Sequence, residues 1–394
     1  MNKRRSNRWV VGVLALALLV LVAGLAARLA SKPAAQVQAR LVGLPQPTGD
    51  YARADGVRPF EFPKDMGPHP DFQTEWWYYT GNLKAENGQE YGFQLTFFRR
   101  ALLGSEGQSI LAQRSSAWAT DQVYLAHFAL TDVAGGQFHA FERFERGAAG
   151  LAGAEGLPMY RVWLHDWSVE QTGPETYQLK AEQDGVALRL DLQDVKGLIL
   201  QGDRGYSQKG PQPGNASYYV SQTRLRAGGE ITVAGKTLAV SGTSWMDHEY
   251  STSALSEGQV GWDWFSIQLD DGSEWMLYTI RRADGSIDPF SKGTLIAPDG
   301  TTRSLAAGDF TIEALDTWKS PHSGGVYPSR WRIQVPSEGL TLQIEPLIAD
   351  QELNLSFVYW EGAVRISGEC NGAAVSGKGY VELTGYAGSM AGEF

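Results

Sequence analysis

Trp245-Met246-Asp247-His248-Glu249-Tyr250 puts two carboxylates, an imidazole and an indole into six residues, which makes it the first place to look for chemistry in this chain. On a β-strand, alternation sets Trp245, Asp247 and Glu249 on one face and Met246, His248 and Tyr250 on the other. That split argues against one metal taking all three polar residues, but it allows a carboxylate pair beside an indole. Two close acids raise one another's pKa, so one of them stays protonated near neutral pH and can act as a general acid. Asp247, Glu249 and His248 are therefore the candidate catalytic residues. The competing reading is an Asp-His-Glu cluster that ties a domain junction through ion pairs to arginines such as Arg224 or Arg281.

A second constellation is Glu75-Trp76-Trp77-Tyr78-Tyr79. A strand here aims Trp76 and Tyr78 one way and Glu75, Trp77 and Tyr79 the other. Such aromatics either fill a core or, on one face, line an apolar ligand cavity, and an acid beside two tryptophans demands partners if buried. Trp262 and Trp264 flank Asp263, whose expected role is a structural hydrogen bond. Glu361 and Glu382, in Tyr359-Trp360-Glu361-Gly362 and Tyr380-Val381-Glu382, also read as structural. Gly205-Tyr206-Ser207-Gln208-Lys209-Gly210 only superficially resembles a phosphate loop, because it lacks the Gly-Lys-Ser/Thr ending. Neither a Gly-x-Ser-x-Gly elbow nor a His-Glu-x-x-His pair occurs, so the usual serine-hydrolase and zinc-protease signatures are missing.

The elements that must position these residues are written twice. Val240-Ser241-Gly242-Thr243-Ser244-Trp245-Met246-Asp247 returns as Val375-Ser376-Gly377-Lys378-Gly379-Tyr380-Val381-Glu382, with the aromatic and the carboxylate at the same offsets. Trp77-Tyr78-Tyr79, Leu83 and Arg99-Arg100 are echoed in order by Trp262-Asp263-Trp264-Phe265, Leu269 and Arg281-Arg282. Repeats of this length indicate duplicated domains rather than solenoid units. Within each copy, period-two stretches such as Leu188-Arg189-Leu190-Asp191-Leu192 are separated by Asn-Gly and Asp-Gly turn pairs, the pattern of antiparallel hairpins. Each copy is long enough for a barrel of the size that holds one small ligand. Beyond the N-terminus no window predicts an amphipathic helix.

Lys3, Arg4, Arg5 and Arg8 precede an uncharged run from Trp9 to Ala27, long enough for one hydrophobic helix across a bilayer. The expected boundaries are a membrane anchor or signal segment over 1–30, a Pro/Gln/Ala-rich linker over 31–58, and barrels over 59–256 and 257–394. The basic flank predicts a cytoplasmic N-terminus, with the body in the periplasm whether anchored to the inner membrane or released by cleavage. Residues 1–30 contribute +5, and removing that from the overall −10 leaves −15 for the remainder. An acidic body of this kind is a poor partner for nucleic acid. Cys370 stands alone, so no intramolecular disulfide forms.

Thr74-Glu75-Trp76-Trp77-Tyr78-Tyr79-Thr80-Gly81, Ala216-Ser217-Tyr218-Tyr219, Ser244-Trp245-Met246-Asp247-His248-Glu249, Gly261-Trp262-Asp263-Trp264 and Tyr359-Trp360-Glu361-Gly362 resemble the AttH-like proteins related to carotenoid 1,2-hydratase, often labelled secreted hydrolases. The resemblance runs from about residue 60 to the C-terminus. It implies an all-β fold of two packed lipocalin-like (calycin) barrels, with no metal and no organic cofactor. It also implies an apolar ligand, an ABC-transporter partner, and Asp247 as a proton donor to an isoprenoid double bond. Glu75, Trp76, Tyr78, Tyr218, Trp245, Trp262 and Trp264 are the expected ligand-binding residues. The expected function is apolar ligand binding, with hydration, isomerisation or cyclisation of an isoprenoid or polyene as the alternative. The chain departs from the hydratase pattern in carrying Trp245 where a tyrosine is expected, and no nucleophile supports the hydrolase label.

Overall fold

The alternating segments form strands with one buried face. From Val186 to Asp194, valine and the three leucines are buried while Arg189, Asp191 and Gln193 are exposed. The glycines of Asn87-Gly88, Asp184-Gly185, Asp271-Gly272 and Asp299-Gly300 all have φ between +80° and +88°, as tight hairpin turns require. The protein is described here from a computed structural model that covers residues 50–252 and 255–390. The anchor over 1–30 and most of the expected linker lie outside the described residues. Among the described residues, no helix is long and apolar enough to cross a membrane.

The first sheet begins with β1 (Thr74–Ala85), β2 (Glu90–Ala101), β3 (Gln122–Asp132) and β4 (Gln137–Arg146). It continues through β5 (Ala152–Glu155), β6 (Arg161–Leu164), β7 (Trp167–Gly173), β8 (Thr176–Gln183) and β9 (Val186–Asp194). The short β10 (Leu198–Leu200) and β11 (Tyr206–Gln208) precede the long β12 (Ala216–Val233) and β13 (Lys236–Ser251). The second sheet holds β14 (Gln259–Leu269), β15 (Glu274–Arg282), β16 (Lys292–Ile296), β17 (Thr302–Ala306) and β18 (Thr311–Lys319). It ends with β19 (Val326–Val335), β20 (Leu340–Pro346), β21 (Glu352–Asn354), β22 (Val358–Cys370) and β23 (Ala373–Leu383).

Both sheets are antiparallel and follow one order. The first runs β4-β3-β2-β1-β13-β12-β9-β8-β7, and the second runs β17-β16-β15-β14-β23-β22-β20-β19-β18. The duplicated Val-Ser-Gly sits at matching registers, with Gly242 opposite Leu83 and Gly377 opposite Leu269. A Cβ on Gly242 would lie 2.0 Å from the Asn82 carbonyl oxygen, and one on Gly377 would lie 2.3 Å from that of Gln268. The glycine is repeated because two backbones approach too closely there for any side chain.

Each curled sheet encloses its own apolar core. Trp77, Tyr79, Phe93, Phe97 and Met246 fill the first, and Phe265, Trp275, Trp331 and Trp360 fill the second. A third cluster lies between the sheets and includes Tyr78, Tyr219, Trp245, Trp264, Tyr278 and Tyr380. The sheets are clamped by Glu274, fully buried and paired to Arg224 and Lys196, and by Gln268 Nε2, which donates to the carbonyls of Thr223 (2.7 Å) and Ser244 (3.0 Å). One short helix, α1 (Ser105–Ala112), follows β2 with none of its residues buried. With no apolar stripe, it carries no periodic signal in the sequence. Tyr51 and Ala54, within the expected linker, are buried, and the Tyr51 hydroxyl donates to the Ala101 carbonyl (3.2 Å).

Candidate functional site

An aromatic-lined cavity lies between the two sheets, while among the described residues the enclosed face of each sheet is filled by its own core. The sequence-based expectation of a ligand chamber within a barrel is corrected on this point, because both enclosed faces are packed with aromatic and aliphatic side chains. The first sheet lines the cavity with Trp76, Tyr78, Phe98, Tyr219, Asp247 and Glu249, and the second with Trp262, Trp264, Tyr278, Phe357, Tyr359 and Glu382. Its cavity volume is about 90 Å³, a slot rather than a chamber. Most of its wall is apolar ring surface, and the few polar groups converge from opposite sides, as in small-molecule sites generally.

Asp247 is 3% exposed and accepts three hydrogen bonds. Ser221 Oγ (2.5 Å) and Trp245 Nε1 (2.7 Å) reach Oδ1, and the Tyr219 hydroxyl (2.6 Å) reaches Oδ2. Burial pushes the carboxyl up to about 7, with the Glu249 charge adding a smaller push and the three donors opposing it. It can therefore hold a proton near neutral pH and release one. Trp245 faces the same way as Asp247 but serves as a donor to it rather than as a cavity wall, with its ring edge-on to Trp264.

Across the slot, β14 and β23 repeat the pairing of β1 and β13. Tyr78 lies opposite Asp247 in the first sheet, and Trp264 lies opposite Glu382 in the second. Glu382 Oε2 accepts from Trp262 Nε1 (2.8 Å). Burial pushes its carboxyl up to about 7, and the charges of Glu249 and Asp247 push the same way. Glu361, wholly buried, accepts from the Tyr78 hydroxyl (2.5 Å) and is held well above the carboxylate range by burial and by Glu382.

Glu249, on the same face as Asp247, is already engaged. It pairs with Lys209 Nζ at 3.0 Å and accepts from Ser217 Oγ. Lys209 sits over the rings of Tyr219 and Tyr278, 5.3 and 4.4 Å from their centroids. Burial favours its neutral form, but Glu249 and the Tyr278 hydroxyl together outweigh burial and keep the ammonium charged.

His248, Glu75 and Tyr218, expected at the ligand site, lie on the opposite face and line no part of the cavity. The alternation that aims Asp247 at the cavity turns His248 away, and the same holds for Glu75 beside Trp76 and for Tyr218 beside Tyr219. Glu75 accepts from Arg99 Nε (2.8 Å) and makes 2.8 Å contacts with His69 Nδ1 and His248 Nε2. Burial alone would raise Glu75, but Arg99 and His69 hold it well below the usual range. Burial lowers the His248 pKa, so this imidazole is neutral. Its Nε2–H then donates to Glu75, and Nδ1 is left as a buried lone pair with no hydrogen-bond partner among the described residues. By residue type, His69, Glu75 and His248 could hold a metal ion. Glu75 already balances the fully buried Arg99 and takes both imidazoles at hydrogen-bond distance, so the trio reads as a charge-balanced structural cluster. Tyr218 packs against Tyr250 and donates to the Gly56 carbonyl (3.0 Å).

The arginine-tied junction is also corrected. Arg224 pairs with Glu274 and Arg281 with Asp263, and neither reaches Asp247, His248 or Glu249. Trp76, Tyr78, Trp262 and Trp264 do line the cavity. Sequence reasoning passed over Lys209, Tyr219 and Tyr278 as site residues and read Glu382 as structural. For Glu382 the signal was present, since it occupies the place of Asp247 in the repeat.

The AttH-like family profile matches residues 53–386. A protein assigned as AttH from Nitrosomonas europaea is 35% identical, with 85% of this chain and 99% of that one covered at a TM-score of 0.73. Kievitone hydratase from Nectria haematococca shares the fold at 14% identity, with 87% and 97% covered and a TM-score of 0.64. CghA does so at 12% identity, with 85% and 94% covered and a TM-score of 0.50. Among curated proteins none matches this chain. A profile spanning both sheets and a relative of this identity place the chain in the AttH-like family.

Proposed function

We propose that this protein is a cofactor-independent enzyme of the hydratase or cyclase type, acting on an apolar, isoprenoid- or polyene-like substrate held between two lipocalin-like barrels that arose by duplication. One observation carries this reading: the buried Asp247 carboxyl faces a slot walled by aromatic rings, where burial pushes it up to about 7. Asp247 gives its proton to one alkene carbon, and the π electrons form the new C–H bond. The adjacent carbon becomes a tertiary cation, which the faces of Trp264, Tyr219 and Tyr278 stabilise. Capture by water completes hydration, and capture by a second double bond with loss of a proton completes cyclisation. A structural neighbour named as a hydratase, kievitone hydratase, is in keeping with hydration as the reaction on this fold.

We place the body outside the cytoplasm on the strength of the basic leader and the uncharged run after it. An apolar substrate would suit a lipid-handling ABC transporter as partner.

The test is to incubate purified protein with geraniol, squalene and lycopene separately and analyse the extracts by mass spectrometry. A product heavier by one water, or an isomer of the substrate, is expected with the wild type. It should vanish with Asp247→Asn while the ligand is still retained. Ligand retained by the wild type but recovered chemically unchanged would reduce the protein to a carrier.

A further inference from the structure

The two copies of the repeat place a carboxylate at one structural position in each sheet, and both carboxylates face the same slot. Asp247 stands opposite Tyr78 on β1, Glu382 stands opposite Trp264 on β14, and all four residues line the cavity. Their surroundings differ in a way that separates their roles. Three donors occupy the oxygens of Asp247, whereas among the described residues a single donor, Trp262 Nε1, reaches Glu382. Among the described residues no donor reaches the other Glu382 oxygen, Oε1, and the side chain is only partly buried where it lines the slot.

We infer that Glu382 is the general base that complements Asp247, accepting a proton from the water that captures the carbocation. This rests on the acid-catalysed reading above. In the complete step, Asp247 loses its proton to carbon and the cation takes a lone pair from water to form the C–O bond. The surplus proton passes from that oxygen to Glu382 Oε1. One molecule of water is added across one double bond, Asp247 ends ionised and Glu382 protonated, and a proton returned through solvent resets the pair. Burial pushes both carboxyls up to about 7, and the charges of Glu249 and Asp247 add to the push on Glu382, so the two groups facing the slot hold about one proton between them near neutrality and acid and base coexist. The position read from sequence as structural thereby becomes half of the site.

The experiment compares the wild type with Glu382→Gln in D2O, using squalene and lycopene as probes. It follows two quantities: hydrated product, and deuterium entering recovered alkene. Deuterium enters whenever Asp247 protonates the substrate and the cation collapses back by losing H⁺. Glu382→Gln is expected to lower hydration by about 10² or more, the contribution typical of a general base. Deuterium exchange should stay within a few-fold of the wild type. Undiminished hydration in Glu382→Gln would overturn the proposal and leave the acid-catalysed reading intact. Equal loss of hydration and exchange in a folded, ligand-retaining variant would also overturn it, because Glu382 would then shape the slot rather than handle the second proton. A wild type that neither hydrates nor exchanges overturns the underlying reading, and the base falls with it. Should Glu382→Gln not fold, Glu382→Asp decides: its shortened carboxylate should depress hydration more than exchange, and a parallel loss of both counts against the role.

Discussion

Trp264 of the second sheet donates its indole N–H to the hydroxyl of Tyr219 in the first (3.1 Å), and Tyr219 donates in turn to Asp247 (2.6 Å). The acid of one sheet is therefore tuned by a ring of the other, so the site exists only where the two sheets meet. Trp264→Phe keeps the aromatic wall and removes the N–H. Tyr219 then becomes a weaker donor, and the ionised form of Asp247 loses support. The acid must be protonated to act, so the alkaline limb of the pH–rate profile should move upward by roughly half a pH unit, the scale of one neutral hydrogen bond. A profile unchanged in position but lower in amplitude would mean that Trp264 acts only by shape.

The two carboxyls of the slot, Asp247 buried and Glu382 partly buried, also leave a signature in stability. Asp247 and Glu382 stand at about 7 in the folded chain, against about 4 when unfolded. The folded protein holds protons that the unfolded chain has released. Their contribution is fully present below about pH 4 and is lost as pH rises through about 7, on the order of a few kcal/mol per group. Glu75 runs the other way, since its lowered pKa confers stability that is lost only as pH falls below the unfolded carboxylate range. Urea unfolding at pH 5 and pH 7.5 should show the wild type losing more stability across that interval than Asp247→Asn or Glu382→Gln. Equal losses in all three would show that neither carboxyl is held neutral.

Strand alternation alone separated Asp247 and Glu249 from His248, and Trp76 and Tyr78 from Glu75. It carried no information on which face meets the ligand, because both faces are buried along β1 around Glu75–Tyr79 and along β13 from Ser244 onward. A one-residue choice between neighbours such as Tyr218 and Tyr219 is settled by how β12 pairs with β13, with a register shift between Gln222 and Leu225, and no composition reports that. Lys209 was hidden for another reason. Its loop resembles a known motif without being one, and only the fold brings its ammonium to Glu249. The repeat made the doubled sheet legible, yet the cavity between the sheets depends on long-range packing of faces that look like ordinary core.

The cluster behind the sheet should behave as structure and not as site. Glu75→Gln leaves Arg99, fully buried, without its charge partner and turns one of the two oxygens that serve Arg99, His69 and His248 into a donor. Breaking such a buried pair costs about 3–5 kcal/mol. The loss should appear in denaturant unfolding, while squalene retention by the folded variant stays at the wild-type level, because Glu75 faces away from the slot. Retention falling with stability unchanged would return Glu75 to the ligand site.

The repeated glycine offers a test of the duplication itself. Gly242→Ala and Gly377→Ala each drive a methyl group into a backbone carbonyl across a central strand pair, where neither partner can move without breaking the ladder. Gly228, on β12, has nothing within 4 Å of an added Cβ and serves as the control. Gly242→Ala and Gly377→Ala should each cost more than about 2 kcal/mol in urea unfolding, with Gly228→Ala within about 1 kcal/mol of the wild type. Comparable losses at the two repeat positions are expected because Leu83 and Leu269 hold the same register against them. A loss at Gly242 alone would mean that the second copy keeps its glycine without needing it, and the two carboxylates that follow these glycines would no longer be fixed by one common constraint.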